Sequence, residues 1–125
     1  MTTPESILAV DDEPAVCWAL ERLFSIHGYF AWTVQRGEEA LALLAQRHFS
    51  HILLDAKLQD MDGLALAAQA REHNPDAIVL LISAYYYRDD PDITSALESG
   101  LINGFIPKPF THAEILRHLQ EDRAL

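Results

Sequence analysis

Short apolar runs alternate along this chain with segments whose apolar residues recur every three or four positions. The runs, Ile7 to Val10, Phe30 to Val34, Ile52 to Leu54, Ile78 to Ile82 and Phe105-Ile106, read as β-strands. With their flanks they predict strands over 6–11, 30–34, 51–55, 77–83 and 104–107. Between them Val16, Leu20, Leu23 and Phe24 share one helical face, as do Ala40, Leu41 and Leu44 within 37–47, and Leu64, Ala67, Ala68 and Arg71 further on. Punctuation residues set the bounds. Pro14 suits the first turn of a first helix that Gly28 stops, Asn74-Pro75 closes the third, and Pro91 opens a fourth that runs to Ser99 and ends at Gly100. Thr111 with Glu114 three residues on predicts a capping box for a last helix over 111–122.

Five strand-helix repeats leave few topologies, because parallel crossovers share one hand and helices must cover both faces of a parallel sheet. The expected fold is α/β: a doubly wound, five-stranded parallel sheet of flavodoxin-like order 2-1-3-4-5 with helices on both faces. The run Ile78 to Ile82 shows no alternation, as befits a central strand buried on both sides. At 125 residues the chain reads as one domain, 1–125, with a short tail at 1–5.

Charge narrows the function classes. A formal charge of -10, with only nine Lys and Arg, scattered, argues against a direct nucleic-acid or anionic-membrane surface. The start lacks the basic and apolar pattern of a secretory leader and no stretch is apolar enough to span a bilayer, so a cytoplasmic location is expected. Lone Cys17 is expected as a small buried helix residue in a reducing compartment, Trp18 and Trp32 as core or partly buried, and the six histidines as solvated surface.

The polar residues at the strand ends carry the chemistry. Asp11 and Asp12, Asp55, Ser83 and Lys108 each follow an apolar run, so all should meet at the carboxyl edge of the sheet. Carboxylates crowded to roughly 5 Å repel by about 3 kcal/mol per pair at an effective dielectric of about 20, so the cluster calls for a cation. Hard oxygen ligands with open positions suit Mg²⁺, or Mn²⁺ in its place. Such a metal, the Lys108 ammonium and the Ser83 hydroxyl together could surround a phosphoryl group. Asp55 is the candidate nucleophile, able to form an acyl phosphate, with Asp11 and Asp12 as metal ligands.

These residues resemble the receiver domain of two-component response regulators. The likeness rests on Asp11-Asp12-Glu13-Pro14, Asp55, Asp62-Gly63, Ser83-Ala84 and the run from Phe105 to Phe110, in order along essentially the whole chain. It implies that Asp55 accepts a phosphoryl group from a sensor histidine kinase, a phosphotransfer protein or a small donor such as acetyl phosphate. It also implies that the Lys57 carbonyl joins Asp11, Asp12 and Asp55 around Mg²⁺, and that Lys108-Pro109 is cis. Ser83 and Phe105 would be the switch pair, phosphorylation drawing the hydroxyl inward and the ring after it, so that the face of the fourth helix, fifth strand and fifth helix changes for an output partner. Homodimerisation through the fourth and fifth helices stays open.

Three positions near the site and one loop set this chain apart from the usual receiver pattern. Gln59 stands where receivers very often carry proline, which predicts a less stiff loop after Asp55. Lys57 and Tyr85 would flank the site entrance, and Tyr85-Tyr86-Tyr87 lies in a longer stretch between Ser83 and Lys108, either a partner surface or lid, or a variant loop packed on the fourth helix. Two other readings fit the same residues: a degenerate receiver that only binds proteins, and a Mg²⁺-dependent phosphohydrolase. The second is disfavoured because Lys57 occupies the place of a water-activating acid.

Overall fold

The computed structural model describes residues 5–121. The strands are β1 (Ser6–Val10), β2 (Phe30–Val34), β3 (His51–Asp55), β4 (Ile78–Ser83) and β5 (Gly104–Pro107). The helices are α1 (Pro14–Ile26), α2 (Gly37–Leu44), α3 (Gly63–His73), α4 (Pro91–Glu98) and α5 (His112–Glu121). All pairings are parallel and the order is β2-β1-β3-β4-β5, as the alternating pattern requires. The rest of the expected tail, before Glu5, and the expected helix end at Asp122 lie outside the described residues.

Strand alternation divides the core in two. Leu8, Val10, Ile52, Leu54, Val79, Leu81 and Phe105 face α2, α3 and α4, whereas Ile7, Ala9, Leu53, Leu80, Ile82 and Ile106 face α1 and α5. Helices α1 and α2 end short of the expected limits or close to them: α1 at Ile26, with Gly28 at φ +84, and α2 at Leu44 rather than Arg47. Gly100 likewise follows α4 at φ +79, where other residues strain. The capping box of α5 is present in full, Glu114 N–H donating to Thr111 Oγ1 at 3.1 Å and Thr111 N–H to Glu114 Oε1 at 3.0 Å.

Three expectations about single residues change. Trp18 is not core: it is 64% exposed, with the Arg22 guanidinium over its ring at 5.0 Å. The helical phase of Cys17, Leu20 and Phe24 turns position 18 outward, and phase outweighs the hydrophobicity of one side chain. His51 is buried rather than solvated, because it opens β3, which lies between β1 and β4; its Nδ1 is 2.9 Å from Ser50 Oγ. His118 is half-buried. Trp32 is half-buried against Phe49 and Cys17 is buried, as expected. Burial is the main cause pushing the Cys17 thiol up to about 11, so it stays protonated at neutral pH.

Arg71, at the end of α3, staples the edge opposite the polar strand tips. Its guanidinium donates to Pro75 O at 3.0 Å, Ala77 O at 2.6 Å, Leu101 O at 3.2 Å and Asn103 Oδ1 at 2.9 Å, joining α3, the start of β4 and the turn before β5.

Candidate functional site

The parallel register places the ends of β1, β3, β4 and β5 side by side, and the side chains just past them converge. Asp11 N–H bonds to Val34 O at 3.1 Å, continuing the ladder one residue beyond β1 and holding its carboxylate at the edge. Asp55 ends β3, whose chain then turns sharply. Gly63 sits so close to the Asp55 carbonyl and to Ala56 Cα, 2.6 Å from an added Cβ, that no larger residue fits. Asp62 caps α3 by accepting from Ala65 N–H at 3.1 Å, which explains the Asp62-Gly63 pair. Lys108 N–H bonds to Ser83 O at 2.8 Å, bringing the lysine to the same edge, and the Lys108-Pro109 peptide is cis.

Lys108 Nζ lies 2.8 Å from Asp11 Oδ2, 3.1 Å from Glu13 Oε1 and 3.2 Å from Asp55 Oδ2. Burial alone would depress this ammonium, but bonding and charge from Asp11, then Glu13 and Asp55, outweigh it and hold the pKa above the ordinary lysine value. The Asp11 carboxyl is raised, chiefly by burial, although Lys108 opposes the shift. The lysine direction reflects one ammonium facing three carboxylates, and the Asp11 direction reflects its burial. Asp11 Oδ2 is buried, and its neighbour is the shared Lys108 Nζ at 2.8 Å. Because the folded carboxyl holds its proton to higher pH than the unfolded chain's, Asp11 favours folding in acid, and that contribution disappears as pH rises through its folded-state value.

Asp11, Asp12 and Asp55 each offer a carboxylate oxygen, all within 4.8 Å of one another, the one such cluster among the described residues. All-oxygen donors and three carboxylates sharing one ammonium, a surplus of negative charge, fit a hard divalent cation. Asp12 is only half-buried, on the open side of the cluster. The mouth, about 260 Å³ and lined by Asp12, Glu13, Asp55, Lys57, Ala84, Tyr85 and Lys108, has room for a phosphoryl group, since on the same measure one water needs about 10–15 Å³.

Ser83 Oγ accepts from Tyr85 N–H at 2.8 Å and Tyr86 N–H at 2.9 Å, leaving its own proton available to donate. Phe105 is already buried within the core, where the resemblance would have the ring move on phosphorylation. The tyrosine loop divides: Tyr86 packs on the core, while Tyr85 and Tyr87 are 67% and 74% exposed. Lys57 Nζ stands over the Tyr85 ring, 4.8 Å from its centroid.

Sequence reasoning missed three interactions. Glu13 shares Lys108, although it adjoins the acidic pair; Arg88 Nη2 donates to Phe105 O at 3.0 Å; and Asp60 bonds to the start of α2. A signal existed for the last. Position 36 is Arg, which offers α2 no cap from its own chain neighbourhood, so its first amides needed an acceptor from elsewhere.

A five-stranded sheet of this order with acidic, hydroxyl and lysine tips at one edge defines a class, and the comparisons agree. The chain belongs to the response regulator receiver domain family, whose model matches residues 7–120. It is 34% identical over 118 residues to the response regulator MprA of Mycobacterium sp. (strain KMS), covering 94% of this chain and 50% of that protein. It therefore spans about half the length of the curated relatives it matches first. Among solved structures, a CheY-like receiver domain protein from Methanospirillum hungatei JF-1 superposes with a TM-score of 0.88 over 96% of this chain and 94% of its own, at 23% identity, a likeness of fold. A response regulator from Burkholderia pseudomallei, solved with a phosphorylated aspartic acid, calcium ion and citrate, gives 0.82 at 25% identity over 96% of this chain and 71% of its own. Receiver domains are switches of two-component signalling rather than conventional enzymes. Among the described residues no helix is long and apolar enough to cross a membrane.

Proposed function

We propose that residues 1–125 form one receiver domain acting as a phosphoacceptor switch, with Asp55 taking its phosphoryl group from the phosphohistidine of a sensor histidine kinase or phosphotransfer protein. The observation that carries this reading is the Asp55 carboxylate at the mouth of the site, bonded to Lys108 and packed against Asp11 and Asp12. One Asp55 oxygen attacks phosphorus as the P–N bond breaks, and the bond electrons leave with the imidazole. Asp11, Asp12, Asp55 and the Lys57 carbonyl would hold Mg²⁺ or Mn²⁺, which when bound supplies positive charge against the phosphoryl oxygens. Lys108 contributes a second positive charge and Ser83 a hydroxyl donor. The Burkholderia response regulator, solved with a phosphorylated aspartic acid and a calcium ion, supports the same chemistry here.

The switch follows from differential binding. A phosphoryl group shifts the conformational equilibrium only as far as it favours one arrangement, and moving from 1:99 to 99:1 takes about 5.5 kcal/mol. Ser83 and Lys108 adjoin the tyrosine loop and β5, so their contacts to the phosphoryl group bias the face of α4, β5 and α5 presented to an output partner. The buried free thiol of Cys17 suits a cytoplasmic setting.

Incubation with acetyl phosphate and Mg²⁺ tests the reading. Mass spectrometry should show a persistent adduct of one phosphoryl group. No adduct under conditions that phosphorylate a control receiver, or donor turnover without accumulation, would overturn it. The stacked pair of Tyr85 and Lys57 at the mouth is expected to slow hydrolysis of the acyl phosphate by shielding it from water. Tyr85→Ala should shorten the adduct half-life about threefold to tenfold, roughly 1 kcal/mol of shielding. An unchanged half-life would assign Tyr85 no part in it.

A further inference from the structure

The loop after Asp55 lacks a proline at Gln59, yet it is fastened at several points. Lys57 N–H bonds to Asp55 Oδ1 at 3.2 Å, Lys57 forms an isolated antiparallel bridge with Asp62, and Leu58 N–H bonds to Met61 O at 3.2 Å. Its tip is anchored to a different element. Asp60 Oδ1 accepts from Gly37 N–H at 2.9 Å and Oδ2 from Glu38 N–H at 3.0 Å, at the start of α2. Beside this contact, the Met61 side chain fills the space that a Cβ on Gly37 would need. The two amide bonds lower the Asp60 pKa, so the carboxylate is charged against the positive end of the helix.

We infer that Asp60, with Met61 seated on Gly37, is a positioning residue for the divalent-cation site: it clamps the 57–62 loop to α2 and so holds the Lys57 carbonyl in its binding arrangement. This rests on the metal reading given above. A carbonyl is a neutral ligand, and a loop that visits other arrangements binds with an affinity reduced by the fraction of time it is competent. In a receiver with proline at position 59 the ring itself would restrict the backbone. Here a carboxylate and a thioether supply the restriction from outside the loop.

The alternative role for Asp60 is solely to cap α2, and three measurements on the whole chain separate the two. Asp60→Ala and Gly37→Ala attack opposite sides of the clamp. At 25 °C, where far-UV circular dichroism shows both folded, each should weaken Mg²⁺ and Mn²⁺ binding about tenfold, the lower end of what outer partners of metal ligands contribute. In metal-free protein the Leu58 amide should exchange with solvent about tenfold faster, by local opening of the loop. Asp60→Asn, which keeps one acceptor oxygen, should fall between, and carries the test with Gly37→Ala if the alanine variant at 60 does not fold. A lowered melting temperature with unchanged metal affinity and unchanged Leu58 exchange would reduce Asp60 to a helix cap and overturn the inference. Wild-type protein that binds no Mg²⁺ would end both this inference and the metal reading. Wild-type binding with indistinguishable variants would end this inference alone.

Discussion

Asp55→Asn should abolish the phosphoryl adduct and, without metal, make the protein more stable. The amide keeps the shape of the side chain and an acceptor for Lys57 N–H, but it removes the nucleophilic charge. It also removes a negative charge from a cluster whose oxygens lie within 4.8 Å of one another. At an effective dielectric of about 20, each such pair repels by about 3 kcal/mol, while the attraction between Asp55 and Lys108 is worth about 5 kcal/mol. Two repulsions against one attraction leave a net gain of about 1 to 2 kcal/mol, a few degrees in melting temperature. Mg²⁺ should stabilise the wild type more than the variant, because a ligand stabilises in proportion to how tightly it binds the folded state. An adduct that persists in the variant, or a metal-free melting point below that of the wild type, would contradict the assignment of Asp55 and of the charge strain around it.

Lys108→Met should have the opposite effect on stability and a larger one. Lys108 reaches Asp11, Glu13 and Asp55 within 3.2 Å while only 12% of its side chain is exposed, and the Asp11 side chain is 1% exposed. Truncating the shared cation leaves buried carboxylates without compensation, a loss of about 3 kcal/mol or more and about 10 °C in a domain of this size. The shortfall should shrink on adding Mg²⁺. It should also shrink from neutral to acidic pH: without the ammonium the raised Asp11 pKa rises further, so the folded state binds a proton more tightly than the unfolded chain does, and acid favours folding. Phosphoryl transfer from acetyl phosphate should slow by about 100-fold, as when one donor to a developing oxyanion is removed. Melting curves with and without Mg²⁺ at neutral and acidic pH, together with adduct kinetics, give the result. A variant as stable as the wild type in metal-free buffer at pH 7 would refute the shared-cation picture.

Much of this molecule was legible before any coordinates. Strand and helix identity depends on periodicity within about ten residues, and each apolar run from Ile7 to Ile106 became a strand. Gly28 and Gly100 stopped helices where a positive φ was needed, and Thr111 with Glu114 closed its cap. Once strand order followed from parallel crossovers, the convergence of Asp11, Asp12, Asp55 and Lys108 was a consequence of where their runs end. The outward face of Trp18 was also present in the phase of its neighbours, and was obscured by reading the residue type ahead of the pattern.

By itself, then, the amino-acid order determined the elements, their succession and the polar tips that meet at one edge, because those depend on near neighbours and on topology common to every parallel sheet. Only the tertiary structure decided how one ammonium is shared: Glu13 and Lys108 are 95 positions apart, and no local pattern links them. It likewise decided that Asp60 caps a helix 22 residues away, that His51 lies inside and that Arg88 meets the outer carbonyl of β5. Long side chains on loops choose partners by distance and burial after the framework has packed, and that choice leaves no periodic trace in the chain.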